Sequence, residues 1–352
     1  MNAHDPHAHP SHRIWAFAFG YFAAYVPYTI LTKGVTSGTI AEPPWSGTAI
    51  LPVATFASAV GMMIFLTAKG WWGYAARGRL FGREWPRPRL VTLLSGVATA
   101  AIVLTTTLAY SFDGISVLFA MLLMRGGVLL LAPIVDQVTG RKASTIPWYS
   151  WAGSGLALVA LVVAFADDGG SELTAVAAAN IAVYLGGYFF RLRWMSKHAK
   201  PTGPDAHARR VAFFVEEQMV ATPLALVGLA VLAVALPGGF GEELRRGFTE
   251  LPTHLGAFAL VVLLGVCSQF TGIFGALILL EPQENAYTVP VNRASSILAG
   301  VVSSFLAVAL FGAAAPSGFE LAGASIVVLA ILALSWPLFA ERARRRRGVV
   351  AA

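Results

Sequence analysis

Apolar residues fall along the chain in ten long blocks, near positions 14–34, 48–69, 90–111, 115–138, 147–166, 173–195, 210–236, 254–280, 286–312 and 320–340. Crossing the hydrocarbon core of a bilayer as a helix takes about 20 mostly apolar residues. Each block is near or above that length and carries few charges, so the pattern predicts an all-α polytopic membrane protein with ten transmembrane helices. The separating segments are rich in glycine, proline and charge, as in Ser111-Phe112-Asp113-Gly114, Asp167-Asp168-Gly169-Gly170 and Pro201-Thr202-Gly203-Pro204-Asp205. None is long enough for a soluble domain.

Composition agrees. Of 352 residues, 57% are hydrophobic and 12% charged, about half the usual ~25% charge of soluble domains. A disordered chain and an ordinary soluble enzyme are excluded on that ground, and the single cysteine, Cys267, excludes a disulfide scaffold. The positions of the charges set an orientation. With the N-terminus placed in the cytoplasm, 20 of the 25 Lys and Arg residues fall on the inner side. They are Arg13; Lys69, Arg77, Arg79, Arg83, Arg87 and Arg89; Arg141 and Lys142; Arg191, Arg193, Lys197, Lys200, Arg209 and Arg210; and Arg342 with Arg344 to Arg347. The positive-inside rule then places both termini in the cytoplasm and requires an even number of spans. The formal net charge of +7 is accounted for by this signal and by attraction to anionic inner-leaflet lipid, with no nucleic-acid partner. The His-rich start (His4, His7, His9, His12) lacks the basic leader and cleavage site of a signal peptide, so the first span is expected to be retained. The expected setting is a bacterial cytoplasmic (inner) membrane.

An internal repeat is visible. Leu123-Met124-Arg125-Gly126-Gly127-Val128-Leu129-Leu130 aligns with Val291-Asn292-Arg293-Ala294-Ser295-Ser296-Ile297-Leu298 at a separation of 168 residues. Trp151-Ala152-Gly153-Ser154-Gly155 aligns with Leu321-Ala322-Gly323-Ala324-Ser325 at a separation of 170. Spans 1–5 and 6–10 therefore read as copies, and because five is odd the second copy enters the membrane inverted. The expected organisation is a cytoplasmic tail over 1–12, one five-helix repeat over 13–170, its inverted copy over 171–340, and a basic cytoplasmic tail over 341–352.

In these features the chain resembles the ten-helix drug/metabolite transporter superfamily, in its EamA-like branch. The resemblance rests on the span count, both termini inside, the doubled repeat and local patterns: Tyr28-Thr29-Ile30-Leu31-Thr32-Lys33 closing the first span, the Ser111 to Gly114 turn before a helix with a mid-helix Pro133, and the stretch from Pro282 to Arg293. It implies a solute carrier with a central cavity between the halves, working by alternating access. In the phosphate-exchanging branch of the superfamily, basic residues on the first, fourth and ninth helices hold the anion; Lys33, Arg125 and Arg293 occupy comparable helices. The paired Lys-Arg of that branch reads Asn292-Arg293 here, a departure that leaves phosphate specificity open.

The polar residues inside the blocks are the candidate chemistry. A charge at the bilayer centre costs at least ~2.5–3.5 kcal/mol, so it faces a cavity or a partner. Arg125 and Arg293, with Asn292 beside the latter, suit a carboxylate or phosphate because guanidinium groups donate in parallel pairs. The alternative is that they brace the bundle. Lys33 is either a ligand contact or a snorkelling residue at the outer interface. Tyr28 and Gln269 are further substrate-binding candidates, Gln269 being equally explained by helix–helix hydrogen bonding. Glu216 and Glu217 either neutralise a buried arginine or couple transport to protons. Pro27, Pro52, Pro133, Pro223 and Pro290 permit kinks.

These residues predict a secondary transporter moving a small polar, anionic or zwitterionic metabolite. The competing reading is a proton-coupled exporter of amino acids, amines or drugs that uses Glu216 or Glu217, with the arginines structural. An enzyme is not expected: Gly153-Ser154-Gly155 superficially suggests a serine nucleophile, but no histidine lies at mid-membrane to act as its base, His254 sitting at an outer end. No cofactor or metal is expected, and the partners are a small-molecule substrate and membrane lipids, with the chain acting as a monomer or homodimer.

Overall fold

The computed structural model of the chain describes residues 12–80, 82–109, 117–139, 148–167, 175–200, 204–283, 285–312, 315–316, 318–334 and 336. The first three histidines of the His-rich start, the Ser111 to Gly114 turn, Arg141 and Lys142, the acidic loop from Asp168 to Glu172, the Pro201 to Gly203 segment and the basic tail from Arg342 lie outside the described residues.

Each of the ten apolar blocks contains a long helix: α1 (His12–Thr36), α2 (Gly47–Ala68), α3 (Leu90–Ala109), α4 (Val117–Val138), α5 (Trp148–Asp167), α6 (Ala175–His198), α7 (Ala206–Ala235), α9 (Leu255–Leu279), α10 (Asn285–Phe311) and α11 (Gly318–Leu334). Of these, α1, α2, α7, α9 and α10 are long and apolar enough to cross a membrane, and α3 and α11 contain shorter apolar stretches at Leu90–Thr106 and Leu321–Ala333. The protein is an all-α bundle compatible with membrane insertion. Pro27, Pro52, Pro133, Pro223 and Pro290 all lie inside helices.

Two connecting segments are structured where the sequence suggested plain loops. Between α2 and α3 the chain forms a 3-10 turn over Trp71–Tyr74 and then an antiparallel hairpin of β1 (Ala76–Leu80) and β2 (Arg83–Arg87). Between α7 and α9 lies the short helix α8 (Gly239–Thr249). Its apolar Phe240, Leu244 and Phe248 recur every four residues and meet Leu51, Leu229 and Ala233, while Glu242, Glu243, Arg245 and Arg246 occupy the other positions. At about 16 Å, α8 is too short to cross a bilayer.

Most of the helix pairings are preserved by an exchange of names. α1 lies against α9 and α10, and α6 lies against α3 and α4; α2 lies against α9, and α7 against α3; α4 meets α5, and α10 meets α11; α2–α7, α4–α10 and α5–α11 are also in contact. Swapping α1 with α6, α2 with α7, α3 with α9, α4 with α10 and α5 with α11 converts each of these pairings into another of them or into itself, whereas α9–α10, α4–α11 and α6–α7, also in contact, have no exchanged counterpart of comparable extent among the described residues. Local packing follows the exchange. A Cβ on Gly96 of α3 would come within 3.0 Å of the Glu217 carbonyl oxygen of α7, and one on Gly265 of α9 within 2.5 Å of the Ala54 carbonyl oxygen of α2. Only glycine lets the two backbones approach so closely.

Placing a methyl group at Gly265 forces α2 and α9 apart. Gly265→Ala is expected to lower the thermal unfolding midpoint of detergent-solubilised protein through an overpacking cost of about 1–3 kcal/mol. Gly272→Ala, where nothing lies within 4 Å, leaves the midpoint unchanged or raised.

Candidate functional site

Tyr21, Tyr25 and Tyr28 share one face of α1, being four and then three residues apart. The rings of Tyr21 and Tyr25 stack with centroids 5.7 Å apart, and Tyr28 meets Tyr25 edge-on at 5.7 Å. On α6, Tyr184 and Tyr188 stand four residues apart with centroids at 4.9 Å. All but the half-buried Tyr28 are buried. Into this aromatic lining reach the two arginines. Arg125 of α4, 9% exposed, donates a hydrogen bond to the Tyr25 hydroxyl and places its guanidinium carbon 5.1 Å from the centre of that ring. Arg293 of α10, 4% exposed, holds its guanidinium carbon 4.8 Å from the centre of the Tyr188 ring. Both are within cation–π range. Tyr21 and Tyr184 each lie within electrostatic range of both guanidinium groups, and the two arginines feel each other's charge.

The arrangement respects the exchange of helices. Arg125 with Tyr25 maps onto Arg293 with Tyr188, since α4 exchanges with α10 and α1 with α6. The tyrosines were missed in the sequence reading, which singled out Tyr28 alone. Their signal was present: Tyr21-Phe22-Ala23-Ala24-Tyr25 and Tyr184-Leu185-Gly186-Gly187-Tyr188 share two tyrosines around two small residues, 163 positions apart. In apolar helices such a pattern passes for ordinary core.

Arg293 keeps Nε and Nη2 buried with no hydrogen-bond partner among the described residues. An unmet N–H at a buried charge is expensive, and Nε with Nη2 is the guanidinium edge that can donate two parallel bonds. Asn292 has a different task. Its amide donates to the Gly275 carbonyl at 3.2 Å and fastens α10 to α9. Gly275 is required there, because a Cβ would come within 2.9 Å of Tyr21 Cε2 and 3.2 Å of Asn292 Nδ2. Lys33 is exposed in the last turn of α1, outside the tyrosine–arginine cluster. Gln269 is buried on α9 against Gly61 of α2.

Glu216 and Glu217 are both fully buried, and their partners are neither Arg125 nor Arg293. Glu217 takes Nε and Nη2 of Arg191 at 2.9 and 2.8 Å, the Ser95 hydroxyl at 2.5 Å and the Thr99 hydroxyl at 3.2 Å. This two-pronged ion pair ties α3, α6 and α7 together. Glu216 accepts from the backbone N–H groups of Ala76 and Arg89, both at 3.0 Å, from Arg89 Nε at 2.9 Å and from the Thr92 hydroxyl at 2.7 Å. One carboxylate thus grips both ends of the hairpin.

Two residues counted among the surface charges that orient the chain are instead buried. Arg191 is paired as above. Lys200, just past α6, donates to the Gln283 carbonyl, Asn285 Oδ1 and the Thr288 hydroxyl at 2.9, 3.1 and 3.3 Å. Asn285 in turn donates through its backbone and side-chain nitrogens to Asp136 Oδ1 of α4, at 3.1 and 2.9 Å. The positive-inside rule counts charges by distance along the chain from a span end, which does not register that α6 and its C-terminal extension remain packed in the bundle. Among the described residues no group of three or more His, Cys, Asp and Glu could hold a metal ion.

No family model matches the chain, and no curated protein matches it. Nineteen chains of solved structures do match in shape. One, described only as the crystal structure of a protein, has a TM-score of 0.52 and 15% identity, with 92% of this chain and 97% of that chain covered. The shared feature is the fold over nearly the whole length of both molecules.

Removing one partner of a buried ion pair strands the other charge. Glu217→Ala is expected to cost about 3–5 kcal/mol in detergent-titration unfolding, and Glu217→Ala with Arg191→Met to recover a large part of the loss. Glu216→Gln weakens the grip on the hairpin, so limited trypsinolysis should cleave among Arg77 to Arg87 faster than in the unsubstituted protein, with the helices intact.

Proposed function

We propose that the protein is a secondary transporter of the drug/metabolite type, with ten spans in two inverted five-helix repeats, that moves a small anionic metabolite by alternating access. The observation that carries this reading is the pair Arg125 and Arg293: two buried guanidinium groups on exchanged helices, each over a tyrosine, with two N–H groups of Arg293 unmatched. The pairings that the exchange preserves support the inverted repeat, because a pseudo-twofold axis in the membrane plane would relate those helix pairs in that way.

In this reading a carboxylate or phosphate oxygen pair accepts from Arg293 Nε and Nη2, the edge of a guanidinium that donates two parallel bonds. Arg125, on the other half, supplies the second positive charge. The Tyr21 hydroxyl would donate to a remaining oxygen, and the tyrosine rings give an apolar wall to the organic part of the substrate. A bound anion offsets the mutual repulsion of two cations in a medium of low dielectric, drawing the halves together around it. The opposite rocking of the halves would release it on the other side, with the in-helix prolines as points of bending. A proton-coupled exporter built on Glu216 or Glu217 fits less well, because protonating either carboxylate would give up several of its hydrogen bonds and loosen α3, α6 or the hairpin. The setting is a bacterial inner membrane with both termini inside.

A ligand panel on purified protein tests this. Phosphorylated and carboxylated compounds are expected to raise the thermal unfolding midpoint, a ligand at a hundred times its Kd contributing about 2.7 kcal/mol. Arg293→Ala and Arg125→Ala should fold but lose that response. Stabilisation only by amines, or an unchanged response to anions in both variants, would defeat the proposal.

A further inference from the structure

The hairpin β1–β2 has no role in the proposed transport cycle, yet it is a built surface. Arg77, Arg79, Arg83 and Arg87 are exposed on it with a single acid, Glu84. Side chains alternate between the faces of a strand, so Arg83, Trp85 and Arg87 share one face. The register pairs them with Leu80, Gly78 and Ala76. The glycine opposite Trp85 leaves room for a neighbour: a Cβ on Gly78 would come within 2.6 Å of Arg87 Cδ, so the arginine stem lies across the space it vacates. Trp85 itself is 53% exposed. An indole flanked by two guanidinium groups on an open face is poorly suited to bulk water and well suited to a membrane interface, where tryptophan concentrates.

The depth of the hairpin agrees. α7 has 30 residues, about 45 Å of helix against the ~30 Å hydrocarbon core. The polar residues His207, Arg209 and Arg210 occupy its N-terminal overhang, which leaves the twenty residues from Glu216 to Ala235 to cross the core. Counted back from Ala235 in the proposed orientation, a crossing of twenty residues begins at Glu216, which holds the backbone at Ala76 and Arg89. The base of the hairpin is fastened at that level. The 3-10 turn beside it adds Trp71, packed against Phe65 and Phe214 with centroids 5.3 and 5.7 Å away.

We infer that the Arg83–Trp85–Arg87 face of this hairpin docks anionic phospholipid headgroups of the surrounding inner leaflet. The inference rests on the proposed orientation, which places the hairpin on the cytoplasmic side. The phosphates accept from Arg83 and Arg87, the indole lies among the glycerol esters, and Glu216 keeps the face from swinging away.

The test uses the full chain in mild detergent, titrated with short-chain phosphatidylglycerol and, separately, phosphatidylcholine, with bound lipid counted by native mass spectrometry. Phosphatidylglycerol is expected to bind in preference. Each arginine near an anionic surface contributes about five-fold, so Arg83→Gln with Arg87→Gln should weaken that binding about 25-fold, with the thermal unfolding midpoint retained. Trp85→Ala should weaken it as well. Equal binding of the two lipids, undiminished phosphatidylglycerol binding in the double variant, or displacement of the lipid by a lower concentration of an RNA oligonucleotide would each overturn the inference. A cysteine at Glu84→Cys in a Cys267→Ser background separates the two proposals. Labelling by an impermeant maleimide in inside-out vesicles alone supports the orientation. Labelling in intact cells overturns the orientation and the docking surface together, whereas inside labelling without lipid preference overturns the docking surface alone.

Discussion

A guanidinium group buried among apolar helices must recover the hydration it has given up, and the ways of doing so are few: a carboxylate, hydroxyls and carbonyls, an aromatic face, or a ligand. This bundle uses more than one of them. Arg191 has a carboxylate, Glu217, in two-point contact. Arg125 and Arg293 are set against tyrosine faces instead, one of them also donating to a hydroxyl. The two kinds of closure differ in how fully they answer the charge. A cation closed by a carboxylate is a brace, with its charge already answered. A cation resting on an aromatic ring receives only part of what water supplied, and at Arg293 two buried N–H groups have no hydrogen-bond partner among the described residues.

The braces hold the helices around these two arginines. The Glu217 pair gathers α3, α6 and α7, and the contacts joining Lys200, Asn285 and Asp136 gather the ends of α4 and α6 with the start of α10. Both networks involve α6, the helix that also carries Tyr184 and Tyr188. Its position is thus held by polar contacts near Arg191 and beyond its C-terminal end, while the tyrosines face the arginines along its length. A helix anchored in this way presents its aromatic residues at a fixed height. The same logic operates on α9, where Asn292 bonds to the Gly275 carbonyl and the missing side chain of Gly275 admits Tyr21.

Much of this was legible beforehand. Block length and charge placement gave the helices, because the energetic penalty for polar groups in lipid is large and acts on every residue of a span. Arg125 and Arg293 stood out for the same reason, and their alignment is what made a repeat the expectation. Tyr21, Tyr25, Tyr184 and Tyr188 did not stand out, because a tyrosine in an apolar helix carries almost no penalty and its role depends on which neighbour it meets. Glu216 and Glu217 were visible as buried acids, but their partners Arg89 and Arg191 lie more than twenty residues away in sequence. Nothing in linear spacing distinguishes a proton carrier from a clasp.

The hairpin marks the same boundary. Its arginines, read along the chain, were an orientation signal and no more. The amino-acid sequence by itself determined the helical elements, the residues that resist burial and the doubled pattern, since each follows from the cost of placing one residue in an apolar medium. Tertiary structure alone decided which acid neutralises which base, that two arginines rest on tyrosines from other helices, and that a carboxylate in α7 pins a cationic hairpin. Those are pairwise matters, set by the packing of segments far apart in sequence, and a sum over single residues does not contain them.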